Sequence, residues 1–133
     1  MSVETYLKDA IHPNCYWTDW TPSTSASGTM TFTGVTIHLA KYRIHNKEMS
    51  IIVKISGTTG NVASDGIRFT LPYAPADDDQ YIPARYLDGG NITVGHASVS
   101  TTSSWIEVFR SAGGNWGLGA DRRVYVTGLL RIA

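Results

Sequence analysis

The chain has 133 residues, of which 42% are hydrophobic and 17% are charged, and 11 basic and 11 acidic residues give a formal net charge of zero. This composition excludes a disordered chain, and the length suffices for one domain with its own core. A nucleic-acid-binding domain would show a basic excess or stripe, and none is visible. No run approaches the roughly 18 apolar residues that a membrane-spanning helix needs. We therefore expect neither nucleic acid nor a membrane as a partner, and a single domain over residues 1–133.

The start of the chain carries no targeting pattern. Met1-Ser2-Val3-Glu4 lacks the basic and then apolar order of a secretory signal. Cys15 is the single cysteine, so an internal disulfide is impossible. Both observations predict synthesis in a cytosol.

Residues 2–11 are the one helical candidate. Ser2 can cap this helix, and Pro13 stops it. Its apolar residues fall on one face, and they are Val3, Leu7, Ala10 and Ile11. We treat residues 1–16 as a helical arm, which packs either on its own domain or on a partner subunit, because a helix this short is marginal alone.

From Thr29 onward the chain alternates between polar and apolar residues in short runs, which predicts about eight strands in an antiparallel sandwich or barrel. Gly34 interrupts the alternation and predicts a bulge or corner. Asn46 predicts a tight hairpin. Residues 73–90 are expected to be irregular. Two strands have a clear core face, formed by Met49, Ile51, Val53 and Ile55 in one and by Val124, Val126, Leu130 and Ile132 in the other.

The opposite faces of these two strands are mixed. They carry Ser50, Ile52, Lys54 and Ser56 in one strand, and Tyr125, Thr127, Leu129 and Arg131 in the other. Outward Ile52 and Leu129 predict a second, partly apolar contact surface. Closed cyclic symmetry would hide such a surface in a homo-oligomer.

Residues that carry chemistry are few and scattered. The four histidines have no metal-binding spacing, and they are His12, His38, His45 and His96. Cys15 has no CxxC partner, and the chain lacks a GxSxG elbow. We therefore assign no catalytic residue and no cofactor, and we expect a protein that is not an enzyme.

Asp77-Asp78-Asp79 is the best candidate for a cation site, because carboxylates at i and i+2 can share Ca²⁺. The run lacks the glycine and the distal glutamate of an EF-hand loop. A solvated acidic loop is favoured, and no metal site is assigned.

Aromatic residues in loop-like positions suggest another kind of site. Trp116 lies inside a glycine-rich segment, residues 113–119, and Tyr73 and Tyr81 lie in the stretch expected to be irregular. These rings could stack on a sugar. They could equally close the core or fill a subunit interface, where Trp and Tyr are enriched.

Taken together, residues 17–133 resemble the small β domains of tailed-phage virion proteins. The matching segments are Trp17-Thr18-Asp19-Trp20-Thr21-Pro22, Ala40-Lys41-Tyr42-Arg43, Ile55-Ser56-Gly57-Thr58-Thr59-Gly60, Ile67-Arg68-Phe69-Thr70-Leu71-Pro72, Asn115-Trp116-Gly117-Leu118-Gly119 and Val124-Tyr125-Val126-Thr127-Gly128. The resemblance implies a jelly-roll-like β-sandwich that assembles as a homotrimer and is not an enzyme. Some such domains bind host surface saccharide, and others cement capsomers.

The first hypothesis is a capsid decoration or cement protein, made in the host cytoplasm and located on the virion. Its partners are other copies of itself and the major capsid protein or another virion protein, with the arm face (Val3, Leu7, Ala10, Ile11) as the docking element. The alternative is a carbohydrate-binding tip of a tail fibre that contacts a host surface glycan through Trp116, Tyr73 and Tyr81. The Met1-Ser2 start and the lack of shaft repeats favour decoration.

Overall fold

A computed structural model describes residues 16–78, 80–111 and 113–133. This part of the chain is all-β, without a helix, which confirms the predicted class. Its nine strands are β1 (Thr18–Asp19), β2 (Thr24–Ala26), β3 (Thr31–His45), β4 (Glu48–Gly60), β5 (Gly66–Thr70), β6 (Tyr81–Asp88), β7 (Thr93–Ser100), β8 (Trp105–Arg110) and β9 (Gly119–Arg131). The predicted arm, residues 1–16, lies outside the described residues except for its last position.

Hydrogen bonds join the nine strands into one antiparallel sheet, in the order β1-β3-β4-β9-β6-β7-β8-β5-β2. The sheet curls into a half-barrel. The division into two sheets that a jelly-roll sandwich requires is not shown. A physical reason lies in the register shifts of the long strands, two between β3 and β4 and one between β4 and β9, because such irregularities bend a strand and increase its twist.

The segment 18–26 links the two edges of the curled sheet. At one edge the amide of Trp20 donates to the carbonyl of Ala40, a residue of β3, at 3.2 Å. At the other edge the amide of Thr70 donates to the Ser23 carbonyl at 2.9 Å. The indole N–H of Trp20 also reaches the Thr70 carbonyl, at 3.1 Å. The segment 18–26 therefore connects β3 to β5, which are the second strands from the two edges of the sheet.

The core lies on the inner side of the curl, and both predicted core faces are confirmed. On β4 the buried side chains are Met49, Ile51, Val53 and Ile55. On β9 and just after it they are Val124, Val126, Leu130 and Ile132. Each large apolar side chain that is fully buried contributes about 1.5–3 kcal/mol to the free energy of unfolding.

The predicted bulge at Gly34 is confirmed. The β3–β4 register shifts between Thr33 and Thr36, and Gly34 has φ 59°. A second shift, between Ile37 and Leu39, was not predicted. It returns the alternation to its original phase, so Ala40 rather than Leu39 takes the next core position. Asn46, with φ 56°, forms the predicted hairpin between β3 and β4.

The expectation of an irregular stretch over residues 73–90 is wrong in its second half, where β6 pairs with both β7 and β9. Pro83 is paired with His96 of β7, whereas pairing with β9 begins only at Ala84. The proline therefore precedes that ladder and removes no hydrogen bond from it.

Gly128 shows why the core row of β9 contains a gap. A Cβ atom at this position would lie 2.2 Å from Cγ2 of Ile82, which fills the space. We expect Gly128→Ala to lower the free energy of unfolding by about 1–3 kcal/mol through overpacking. Thermal denaturation should show a lower Tm than for Gly90→Ala, whose Cβ would meet nothing within 4 Å.

A double variant tests the mechanism of that loss. In a Gly128→Ala background, Ile82→Ala should destabilise less than it does in the natural chain, because it also relieves the collision. Equal Tm values for the two glycine variants would contradict the proposed packing.

Candidate functional site

The outer side of the curled sheet carries the mixed faces predicted from the sequence. Cross-strand pairing places Ser50 beside Leu129 and Ile52 beside Thr127 on this side. Leu129 is 56% exposed, as predicted, whereas Ile52 is half-buried. We call the outward positions of β4, β9, β6 and β7 the outer face.

A tyrosine surrounded by cations lies at the middle of the outer face. Lys54 of β4, Tyr125 of β9 and Arg85 of β6 are paired in one row across three neighbouring strands. The Lys54 ammonium and the Arg85 guanidinium each lie 5.6 Å from the centroid of the Tyr125 ring. Because β4 and β6 flank β9 on opposite sides, the two cations approach the ring from opposite sides. Each contact stabilises by about 0.5–1 kcal/mol at an exposed site.

A third cation, Arg123, precedes Tyr125 by two residues and so faces the same side of β9. Its Nε lies 2.7 Å from Oδ1 of Asp121. Hydrogen bonding to Asp121 and then to Tyr125 raises the pKa of Arg123 above its ordinary value. We name Lys54, Arg85, Arg123 and Tyr125 the Tyr125 cluster.

Lys54 and Arg85 have no carboxylate within ion-pairing distance among the residues that the structure describes. Elsewhere on the outer side, Lys41 pairs with Asp19 at 2.9 Å, whereas Arg43 lies 4.8 Å from the centroid of the Trp17 ring. The Tyr125 cluster thus contains three cations, and one neighbouring carboxylate, Asp121, pairs with one of them. An anion from another molecule could therefore form ion pairs with Lys54 and Arg85.

Two open depressions flank β9 on the outer side, each of about 280 Å³. The one beside the Tyr125 cluster is lined by Pro83, Ala84, Arg85, Val94, Tyr125 and Thr127. The other is lined by Arg43, Ile44, His45, Glu48, Ser50 and Leu129. Both have apolar walls; Arg85 is the one charged residue that lines the first, whereas the second is lined by Arg43 and Glu48, which carry opposite charges.

Exposed apolar side chains border these depressions. Tyr81 is 73% exposed and Val94 is 65% exposed. Val94 lines one depression and Leu129 the other, and Tyr81 lies at the start of β6. The outer face therefore presents apolar and cationic groups side by side.

The structure separates the three residues predicted to contact a glycan. Trp116 is 1% exposed, with its indole N–H donating to the Val108 carbonyl at 3.3 Å and its ring 5.3 Å from that of Tyr86. The predicted glycan contact by Trp116 is therefore wrong. This residue closes the core, which was the other role considered for it. Tyr73 is exposed but packs edge-on against Tyr42, and Tyr81 stands apart on β6.

The acidic loop makes internal contacts. Asp77 pairs with Arg131 at 3.0 Å, and Asp78 accepts the backbone N–H of Thr101 at 2.6 Å. That hydrogen bond lowers the pKa of Asp78, so its stabilising effect is present above the ordinary carboxyl range and is lost as the pH falls through the lowered value. Asp79 lies outside the described residues, and the remainder contain no group of three potential metal ligands.

Two histidines make outward contacts, and His12 and Cys15 lie outside the described residues. His38 Nε2 lies 2.8 Å from Ser56 Oγ, and His96 stacks on Phe109. A nucleophile and base also need an orienting group. Within the described ranges, no carboxylate hydrogen-bonds to His38. The predicted docking residues Val3, Leu7, Ala10 and Ile11 likewise lie outside the described part.

Sequence reasoning placed Tyr125 and Lys54 on mixed strand faces but missed the Tyr125 cluster, because Arg85 fell in the stretch expected to be irregular. The signal was present. Ile82, Ala84 and Tyr86 alternate with polar residues, which is typical of a half-buried strand.

Comparison with known proteins gives no relative: no family model, no curated protein and no solved structure matches this chain. Across residues 16–78, 80–111 and 113–133, none of the elements is a helix of the length and apolar character required to span a membrane.

Proposed function

We propose that this protein is a non-enzymatic structural subunit that docks onto neighbouring proteins through its outer face. The observation that carries the proposal is the combination of exposed Leu129, Tyr81 and Val94 with unpaired cations on adjacent strands. Tyr and Arg are enriched in protein interfaces, and the outer face contains Tyr81, Tyr125 and Arg85.

The resemblance to tailed-phage virion domains supplies a setting for this role. In that setting the chain is a homotrimer with a jelly-roll-like sandwich fold, and it decorates or cements a capsid. The neighbours are then other copies of the chain and the major capsid protein or another virion protein. A formal net charge of zero suits a subunit held in an assembly better than a free monomer.

The glycan-binding alternative loses support from Trp116, whose ring is enclosed in the core. Tyr73 and Tyr81 remain exposed, and no ring contact between them is present in the described part of the chain. We therefore favour docking on protein.

The proposal predicts that the chain is trimeric in solution and that an acid on the apolar part of the outer face dissociates the trimer. Light scattering should give a mass three times the 14.5 kDa of one chain, and Leu129→Asp should reduce it to one chain. Burying an unpaired carboxylate in the interface is strongly unfavourable.

Val62 provides the matched control. It is about as exposed as Leu129 but lies in the turn between β4 and β5, so Val62→Asp should stay trimeric. A natural chain that is monomeric at every concentration, or a Leu129→Asp variant that is still trimeric, would contradict the proposal.

A further inference from the structure

We infer that the Tyr125 cluster is a carboxylate-binding site that receives an acidic segment of a protein partner. The inference rests on the proposed docking role and specifies the chemistry of the partner. It depends on three features, which are the arrangement of cations, the lack of an internal counter-charge and the adjacent apolar depression.

The arrangement suits carboxylates because both cations are held in place. Lys54 and Arg85 lie against the Tyr125 ring, and this contact restricts two side chains that are otherwise flexible. Arg85 offers a planar fork that can bind a carboxylate through two parallel hydrogen bonds, and Lys54 offers a compact ammonium on the far side of the ring. Two neighbouring carboxylates could each pair with one of these cations. Alternatively, a single carboxylate at the edge of the Tyr125 ring could pair with both.

The charge at the cluster is not neutralised from within the described part of the chain. Asp121 pairs with Arg123, while Lys54 and Arg85 are left to the ring alone. A surface lysine or arginine usually has water as its partner and gains little from an ion pair. Here two such cations lie against one aromatic ring. A single bound acidic segment would therefore displace water from Lys54 and from Arg85 together.

The depression beside the cluster favours a polypeptide as the source of the carboxylates. Its walls include Pro83, Val94 and Thr127, and its volume of about 280 Å³ has room for an apolar side chain. A segment with an apolar residue beside acidic ones would fill the depression and reach Arg85. Nucleic acid fits less well, because the chain as a whole has no positive excess to attract a polyanion.

The test uses two labelled peptides, Glu-Leu-Glu-Glu-Leu-Glu and its counterpart with every Glu replaced by Gln. Two-dimensional NMR of the full chain should show shifts confined to the region of Lys54, Arg85, Val94 and Tyr125 with the acidic peptide and none with the Gln peptide. Fluorescence anisotropy should then show at least tenfold weaker binding for Lys54→Glu and for Arg85→Glu. Lys47→Glu makes the same change of charge in the exposed β3–β4 turn and should alter the affinity less than twofold.

Several results would overturn the inference. They are no binding of the acidic peptide, equal binding by the natural chain and the Lys54→Glu and Arg85→Glu variants, or tighter binding of an oligothymidylate or a heparin oligosaccharide at the same ionic strength. If peptide binding fails while Leu129→Asp still dissociates the trimer, the carboxylate site is wrong and the docking role stands. If the peptide binds as expected but the natural chain is monomeric, the trimer is wrong and the site stands.

Discussion

Replacing Asp88 by Ala is expected to lower the free energy of unfolding by about 3–5 kcal/mol, because it leaves two partly buried arginines, Arg110 and Arg122, without their carboxylate. The Asp88 side chain is 7% exposed. One carboxylate oxygen lies 2.6 Å from Nε of Arg122, and the other lies 3.4 Å from Nε of Arg110. Both oxygens also accept the backbone N–H of Gly117.

The loss is large because these groups depend on each other. The Nε atom of Arg110 is buried and makes no hydrogen bond, so Asp88 supplies its only nearby negative charge in the described part of the chain. Arg122 also donates to the carbonyls of Gly117, Leu118 and Ala120, which fixes the loop before β9. Without Asp88, the amide of Gly117 in this loop loses its hydrogen-bond acceptor.

Urea denaturation of Asp88→Ala and of Asp19→Ala measures the effect against a control. Asp19 also pairs with a cation, Lys41 at 2.9 Å, but at an exposed position, so its removal should cost about 0.2–1 kcal/mol. If the two variants were equally stable, the central role of Asp88 in this loop would be wrong.

Trp116→Ala is expected to lower the free energy of unfolding by about 3–5 kcal/mol, since it opens a cavity in the core. The indole is enclosed, packs edge-on against Tyr86 and donates to the Val108 carbonyl. A glycan-contacting residue would behave in the opposite way, with loss of binding and an unchanged stability.

Trp116→Phe separates packing from hydrogen bonding. It keeps a ring in the core but removes the indole N–H, and it should cost less than the alanine variant, with about 1 kcal/mol from the lost hydrogen bond. The midpoint of urea denaturation measures both variants, and equal slopes show that only stability changed. An unchanged midpoint for Trp116→Ala would contradict the buried position of the ring.

The parts of the fold that were predictable are those specified by local patterns. The alternation of β4 predicted its buried face, and Gly34 and Asn46 predicted a bulge and a hairpin, because each pattern depends on neighbours a few residues away. Such signals need no knowledge of the rest of the chain.

What was missed depends on distant partners. Pro83 obscured β6, whose ladder to β9 begins one residue later, and β1 and β2 are too short to show a period. Trp116 lies in a glycine-rich loop. The amide of the next residue, Gly117, is held by Asp88, which is 29 residues from Gly117 in the chain. Local sequence cannot reveal such contacts, so the burial of Trp116 was not predictable from spacing, and neither was the meeting of Lys54, Arg85 and Tyr125, although the alternation of β6 itself was visible.

The position of β9 has a consequence for how the chain is made. This last strand lies between β4 and β6, so the middle of the sheet stays open until residue 131 has left the ribosome. Until then β4 exposes an unpaired backbone edge together with its row of apolar side chains, which is a template for aggregation. Folding is therefore expected to begin only once β9 is available and to be slow, as is typical of sheets built from non-local pairs.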